Sequence, residues 1–128
     1  MSADGPVTER KPIRSFRDLL VWQKAIDFAR DVYGLTKRFP PDERFGLTLQ
    51  LRRAAVSVSS NIAEGHARQG KEFAHFLSIA RGSLAECESQ LHLAVVLGYL
   101  TEPMTVPLND LASEIHRMSA SLASELSY

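Results

Sequence analysis

Apolar residues return every three or four positions along nearly the whole chain from Leu19 onward, in four runs separated by proline or glycine. That is the period of an α-helix burying one face. Strand-like alternation occurs only at Ala55 to Ser59, over about five residues, inside a longer helical run that outweighs it. Each run can bury its stripe only against other helices, so the chain is restricted to an all-α fold.

Ser15 with Asp18 three positions on resembles a capping box, with Asp in place of the usual Glu. It opens a first helix over about 18–38, with Leu19, Trp22, Ile26, Ala29 and Tyr33 on one face, stopped by Pro40 and Pro41. Asp42 is a reasonable N-cap for a second helix over about 42–64, whose face holds Leu47, Leu51, Ala54, Ala55, Val58 and Ile62 and which ends at Gly65. A third helix, about 71–99, carries Phe73, Phe76, Leu77, Ala80, Leu84, Cys87, Leu91, Ala94 and Val95 on one side. The fourth, about 102–126, buries Leu108, Leu111, Ile115, Met118 and Leu122. Thr101 can cap it with Pro103 in its first turn, and Pro107 must either kink it or move its start to about residue 106. Short connections make consecutive helices antiparallel, which gives an up-down-up-down four-helix bundle over residues 15–128. Residues 1–14 lack apolar periodicity and read as a flexible arm.

With 128 residues the chain fits one domain with an adequate core. Cys87 is alone, which rules out an internal disulfide and a four-ligand zinc site and fits a reducing, cytoplasmic setting. Charges in the first twenty residues leave no secretory signal, and the apolar run from Leu91 to Leu100 is far short of the roughly 20 residues of a membrane span. Fifteen basic and fifteen acidic residues cancel, but 11 of the basic ones precede Ala54 together with only 7 acidic ones. The first half is therefore positive and the second negative, an asymmetry that can serve an anionic partner or contacts between copies.

The second helix has more apolar surface than one bundle face requires. Phe45, Leu49, Val56 and Ala63 lie within about 40° of one another, nearly opposite the core face. The first helix extends likewise through Val21, Phe28 and Leu35. A second apolar arc must be covered or exposed at a cost; the simplest cover is another copy, and the alternative is that long charged side chains, including the flanking Arg52 and Arg53, drape over it in a monomer. These seven residues are the expected subunit-interface set, with the fourth helix on the solvent side.

No catalytic set emerges. Gly65, Gly70 and Lys71 mimic a phosphate-binding loop, but Glu72 replaces the Ser or Thr that would reach Mg²⁺, and a helix precedes where a strand is needed. Glu72 and His75 supply one Glu-x-x-His where a di-iron bundle uses two, and both lie off the core face. Glu88 with His92 reads as a surface i,i+4 pair, and Cys87 as an inert core residue. No cofactor or metal is expected. Arg10, Lys11, Arg14 and Arg17 in the arm, with Arg52 and Arg53 on the second helix, could grip RNA or DNA phosphates in a salt-sensitive, backbone-directed way.

Leu51 to Gly65 (LRRAAVSVSSNIAEG), Phe73 to Leu77, Ala80 to Glu86 and the opening Phe16 to Ala25 resemble the four-helix-bundle proteins encoded in 23S ribosomal RNA intervening sequences, over roughly residues 15–126. The resemblance implies a homopentameric bundle without enzymatic activity, akin to the accessory variability proteins of diversity-generating retroelements, which bind nucleic acid. Those relatives are markedly basic, and this chain departs from them in its zero net charge. Asn61, Glu64, Arg81 and Glu86 match the family's polar signature, read here as a network joining the ends of the second and third helices.

Overall fold

The computed structural model describes residues 12–126, so Arg10 and Lys11 lie outside the described residues. A 3₁₀ turn, Phe16–Asp18, leads into α1 (Leu20–Thr36); a second, Pro41–Glu43, leads into α2 (Leu47–Arg68), followed by α3 (Gly70–Val96) and α4 (Glu102–Leu126). Each helix packs on its sequence neighbours and α1 on α4, while the diagonal pairs stay apart, so the four helices stand at the corners of a square. Ser57 meets Ser83 and Glu43 meets Tyr99, which fixes α2 and α3 as antiparallel. Groove residues Leu19 with Leu122, and Leu35 with Leu108, do the same for α1 and α4. With short connections between consecutive helices, these contacts fit the expected four-helix bundle.

Local chemistry explains where the boundaries differ from the sequence reading. The capping box exists: Ser15 Oγ accepts from Arg17 N at 3.2 Å, and Asp18 Oδ2 accepts from the backbone of Ser15 and Arg14. It caps the short 3₁₀ turn, and extended Leu19 delays α1 to Leu20. Asp42 is not the cap of α2, because the turn begun by Pro41 takes it up. Gly46 is the N-cap, and Glu43, three residues before it, accepts from Leu47 N through its side chain at 2.9 Å and so satisfies the first helical N–H. Phe45 consequently sits before α2, 78% exposed.

Gly65 does not end α2. A methyl group there would lie 2.7 Å from Phe76 Cβ and 2.9 Å from Phe73, so glycine is needed to let α2 and α3 approach, and α2 continues to Arg68. The reversal is made at Gln69 and Gly70, both at positive φ, and the φ of 63° and ψ of 171° at Gln69 belong to a region that residues other than glycine rarely occupy. Pro107 stays inside α4.

The interior joins Leu51, Val58 and Ile62 of α2 to Leu77, Leu84 and Leu91 of α3 and Ile115 of α4, all fully buried, each stabilising the fold by about 1.5–3 kcal/mol. The expected face of α2 is the observed one, and so is that of α3 except that Phe76 and Val95 are only half-buried. The expected face of α1 is not the observed one. Val21, Ala25, Phe28 and Val32 enter the core, whereas Ile26 and Tyr33 remain 41% and 42% exposed and Trp22 and Ala29 are half-buried. Val21 and Phe28 are thus corrected from interface candidates to core residues of a single subunit, and Leu35 packs half-buried against that core. Both stripes of α1 have helical period, so spacing cannot rank them. The purely hydrocarbon set goes inside because Trp22 and Tyr33 would carry an N–H and an O–H into a core without partners.

Candidate subunit interface and polar cleft

The exchange of faces on α1 assembles one outer surface from two helices. Arg52 of α2 reaches across to α1: its Nε donates to Thr36 Oγ1 at 2.8 Å and its guanidinium stands 4.5 Å over the Tyr33 ring. Thr36 in turn donates to Val32 O at 2.8 Å. This clasp sets the level of α2 beside α1. Ile26 and Tyr33 on α1 then run antiparallel to Val56 on α2, and all three are about two-fifths exposed. Leu49 and Ala63, spaced seven residues either side of Val56, are half-buried and continue the strip.

A second surface lies between α2 and α3. Ser57 and Ser83 hydroxyls meet at 3.0 Å, and Asn61 Nδ2 donates to both the carbonyl and hydroxyl oxygens of Ser57, at 2.8 and 2.9 Å. These small residues let the helices close up below a cleft of about 350 Å³, lined by Gln50, Arg53, Ala54, Ser57, Ser83, Glu86 and Gln90. Arg53 and Glu86 are exposed and make no ion pair among the described residues. Gln90 Oε1 is buried and has no donor. On the same side of α3, Ile79, Glu86 and Leu93 recur at heptad spacing, with Ile79 and Leu93 39% and 44% exposed.

The polar signature divides among separate contacts. Asn61 belongs to the serine contact. Glu64 accepts from Arg68 at 3.0 Å, and Arg68 also reaches Glu72 at 3.1 Å, which braces the α2–α3 reversal. Glu86 lines the cleft, and Arg81, five residues earlier and roughly 140° round the helix, is exposed on another side. The single network expected at the helix ends is therefore not formed.

Among the described residues the basic candidates are also dispersed. Arg14 and Arg17 are exposed beside the 3₁₀ turn at the start of α1, Arg53 stands at the cleft on α2, and Arg52 is committed to Tyr33 and Thr36.

Glu72 and His75 are exposed, and no group of three or more His, Cys, Asp or Glu able to hold a metal comes together among the described residues. Glu88 does not pair with His92. Its Oε1 lies 2.7 Å from His116 Nε2 on α4, a contact across 28 residues that local spacing could not reveal. Cys87 is fully buried, and burial, with Glu86 and Glu88 nearby, pushes its thiol up to about 12, so it carries no thiolate at neutral pH. Among the described residues no helix is long and apolar enough to cross a membrane.

The family model described as 23S rRNA-intervening sequence protein matches residues 17–121, from the first 3₁₀ turn into the last turns of α4. The chain belongs to this family. A crystal structure of a protein of unknown function from the S23 ribosomal protein family of Bacteroides thetaiotaomicron VPI-5482 is similar, with a TM-score of 0.74 and 26% sequence identity over 81% of this chain and 98% of that one. No curated protein matches significantly. Within the block from Leu51 to Gly65, Ala54, Ser57 and Gly65 lie against α3, and Arg52 is the clasp to α1.

Proposed function

We propose that this chain is a non-enzymatic, homo-oligomeric helical scaffold whose copies pack through the outer face of α1 and α2 and which engages RNA or DNA weakly through exposed arginines. The observation that carries the reading is the set Ile26, Tyr33 and Val56, large apolar side chains left about two-fifths open on adjoining helices. A contiguous apolar strip of this kind is what protein–protein contacts bury, and aromatic residues with a polar tip are enriched there. A homopentamer is the assembly the family resemblance implies. The compartment in this reading is the cytoplasm.

Sedimentation equilibrium tests it. The wild-type protein is expected at several times its subunit mass of 14.2 kDa, and Val56→Glu at one subunit mass with helicity intact. A wild-type monomer removes the proposal.

A second reading, an assembly protein for protein partners alone, is favoured by Arg52. Its guanidinium is spent on Tyr33 and Thr36, which leaves Arg14, Arg17 and Arg53 of the candidates among the described residues, on a chain of zero net charge. Fluorescence anisotropy with structured RNA separates the two. Binding at low salt that weakens steeply as salt rises supports the first, and no binding at low salt supports the second.

A further inference from the structure

The connections α1–α2 and α3–α4 lie at the same end of the bundle. They are tied there by the Tyr99 hydroxyl, which donates to Glu43 Oε2 at 2.8 Å, and by the Phe39 and Tyr99 rings, 5.4 Å apart. The register of α2 on α3, fixed by Ser57 against Ser83, brings Phe45 level with the last turn of α3. Large apolar side chains are open at this end: Phe45 is 78% exposed, Val96 67% and Leu97 48%. Phe39 and Tyr99 already pack into or against the core here, so these three are left for something outside the subunit.

Charge divides the same end into two halves. The α2–α3 half carries the apolar set. On the α1–α4 half, Lys37 and Arg38 follow α1 and Glu102 opens α4, all three exposed and without an ion pair among the described residues. The end as a whole balances, with Lys37, Arg38 and Arg44 against Asp42, Glu43 and Glu102. A balanced end has no net field to hold an RNA backbone or an anionic membrane. Its pattern instead matches itself. The helices stand at the corners of a square in chain order, so a two-fold axis across the end that sets α2 on the α3 of a second copy also sets α1 on its α4. The apolar halves then meet each other, and Lys37 and Arg38 meet Glu102 on both sides of the axis.

We infer that this end docks on the same end of a second copy, with Phe45 packed on Val96 and Leu97 across the two-fold axis and Lys37 and Arg38 paired to Glu102. The inference rests on the self-association proposed above, because a single end is a small contact. Copies related by rotation present equivalent ends on one side of their assembly, so several weak end contacts form at once and two assemblies stack. Val56→Glu, reduced to single subunits, loses that multiplicity and stays at one subunit mass.

Light scattering on the full chain tests it. Phe45→Glu is expected to halve the mass of the wild-type assembly and to leave several subunits joined, with helicity unchanged because Phe45 lies outside the helices and the core. Val96→Glu, a second exposed position, is expected to do the same. Glu102→Lys should also halve the mass, and adding Lys37→Glu and Arg38→Glu to it should restore the wild-type value. An unchanged mass in Phe45→Glu or Val96→Glu overturns the inference. So does a triple variant that stays at half the mass, since the pairing of α1 with α4 would then be absent. A Phe45→Glu protein of one subunit mass overturns it too, because Phe45 would then belong to the contact within each assembly. Flotation of the wild type, but not of Phe45→Glu, with phosphatidylglycerol vesicles at equal protein mass would assign the end to a membrane instead. Monomeric wild-type protein defeats the self-association proposed above, and this inference with it.

Discussion

The α2–α3 seam and the outer α1–α2 face are built from similar lengths of helix, yet they are finished to different degrees. In the seam, Gly65 admits Phe73 and Phe76, and Ser57, Asn61 and Ser83 satisfy one another over short distances. On the outer face, Ile26, Tyr33 and Val56 stay open, and one arginine clasp is what joins the helices there. Close approach between helices requires small residues and settled polar groups; a surface made of large aromatic and branched residues is shaped to receive something else. The first region belongs to the folding of one subunit and the second to what the subunit meets.

Substitutions in the two regions therefore diverge. Gly65→Ala is expected to have the largest effect on stability, about 2 kcal/mol in urea unfolding, because its methyl group meets Phe76 Cβ, which cannot move without the helix. If the seam had slack, the loss would vanish. Arg52→Ala should cost about 1.5 kcal/mol by removing the bond to Thr36 and the stacking on Tyr33, and should weaken assembly as well, whereas Gly65→Ala should leave the subunit contact unaltered. Gln69→Gly is expected to stabilise by about 1 kcal/mol through relief of the backbone at φ 63°.

The smallest effect concerns Glu43, held below its ordinary carboxylate range first by the Leu47 N–H and then by the Tyr99 hydroxyl. A lowered folded-state pKa contributes stability that is present above the unfolded value and is lost as pH falls through the folded one. Glu43→Gln should accordingly lower the melting temperature slightly at pH 7, and the gap to wild type should close below about pH 4.

The same contrast explains what could be read from sequence. The buried faces of α2 and α3 were legible because each has one dominant apolar arc, and the strip through Leu49, Val56 and Ala63 was visible as a second one. On α1 two arcs of equal period compete, and only the cost of burying an indole N–H and a phenol O–H, a property of the packed interior, decides between them. Gly65 looked like a helix end because glycine serves both to terminate helices and to admit a neighbour. The Arg52 clasp, the Glu88–His116 contact and the acceptor at Gln90 are tertiary, with partners 16 or more residues away or none at all, so no local pattern announces them.

Trp22 is the chain's sole tryptophan and stands on the open face, which makes its emission a direct report on whether that face is covered. Wild-type protein and Val56→Glu, compared at the same concentration, are expected to differ, the wild type emitting at shorter wavelength because a second copy excludes water from the indole. Identical spectra from two equally folded proteins would contradict the account.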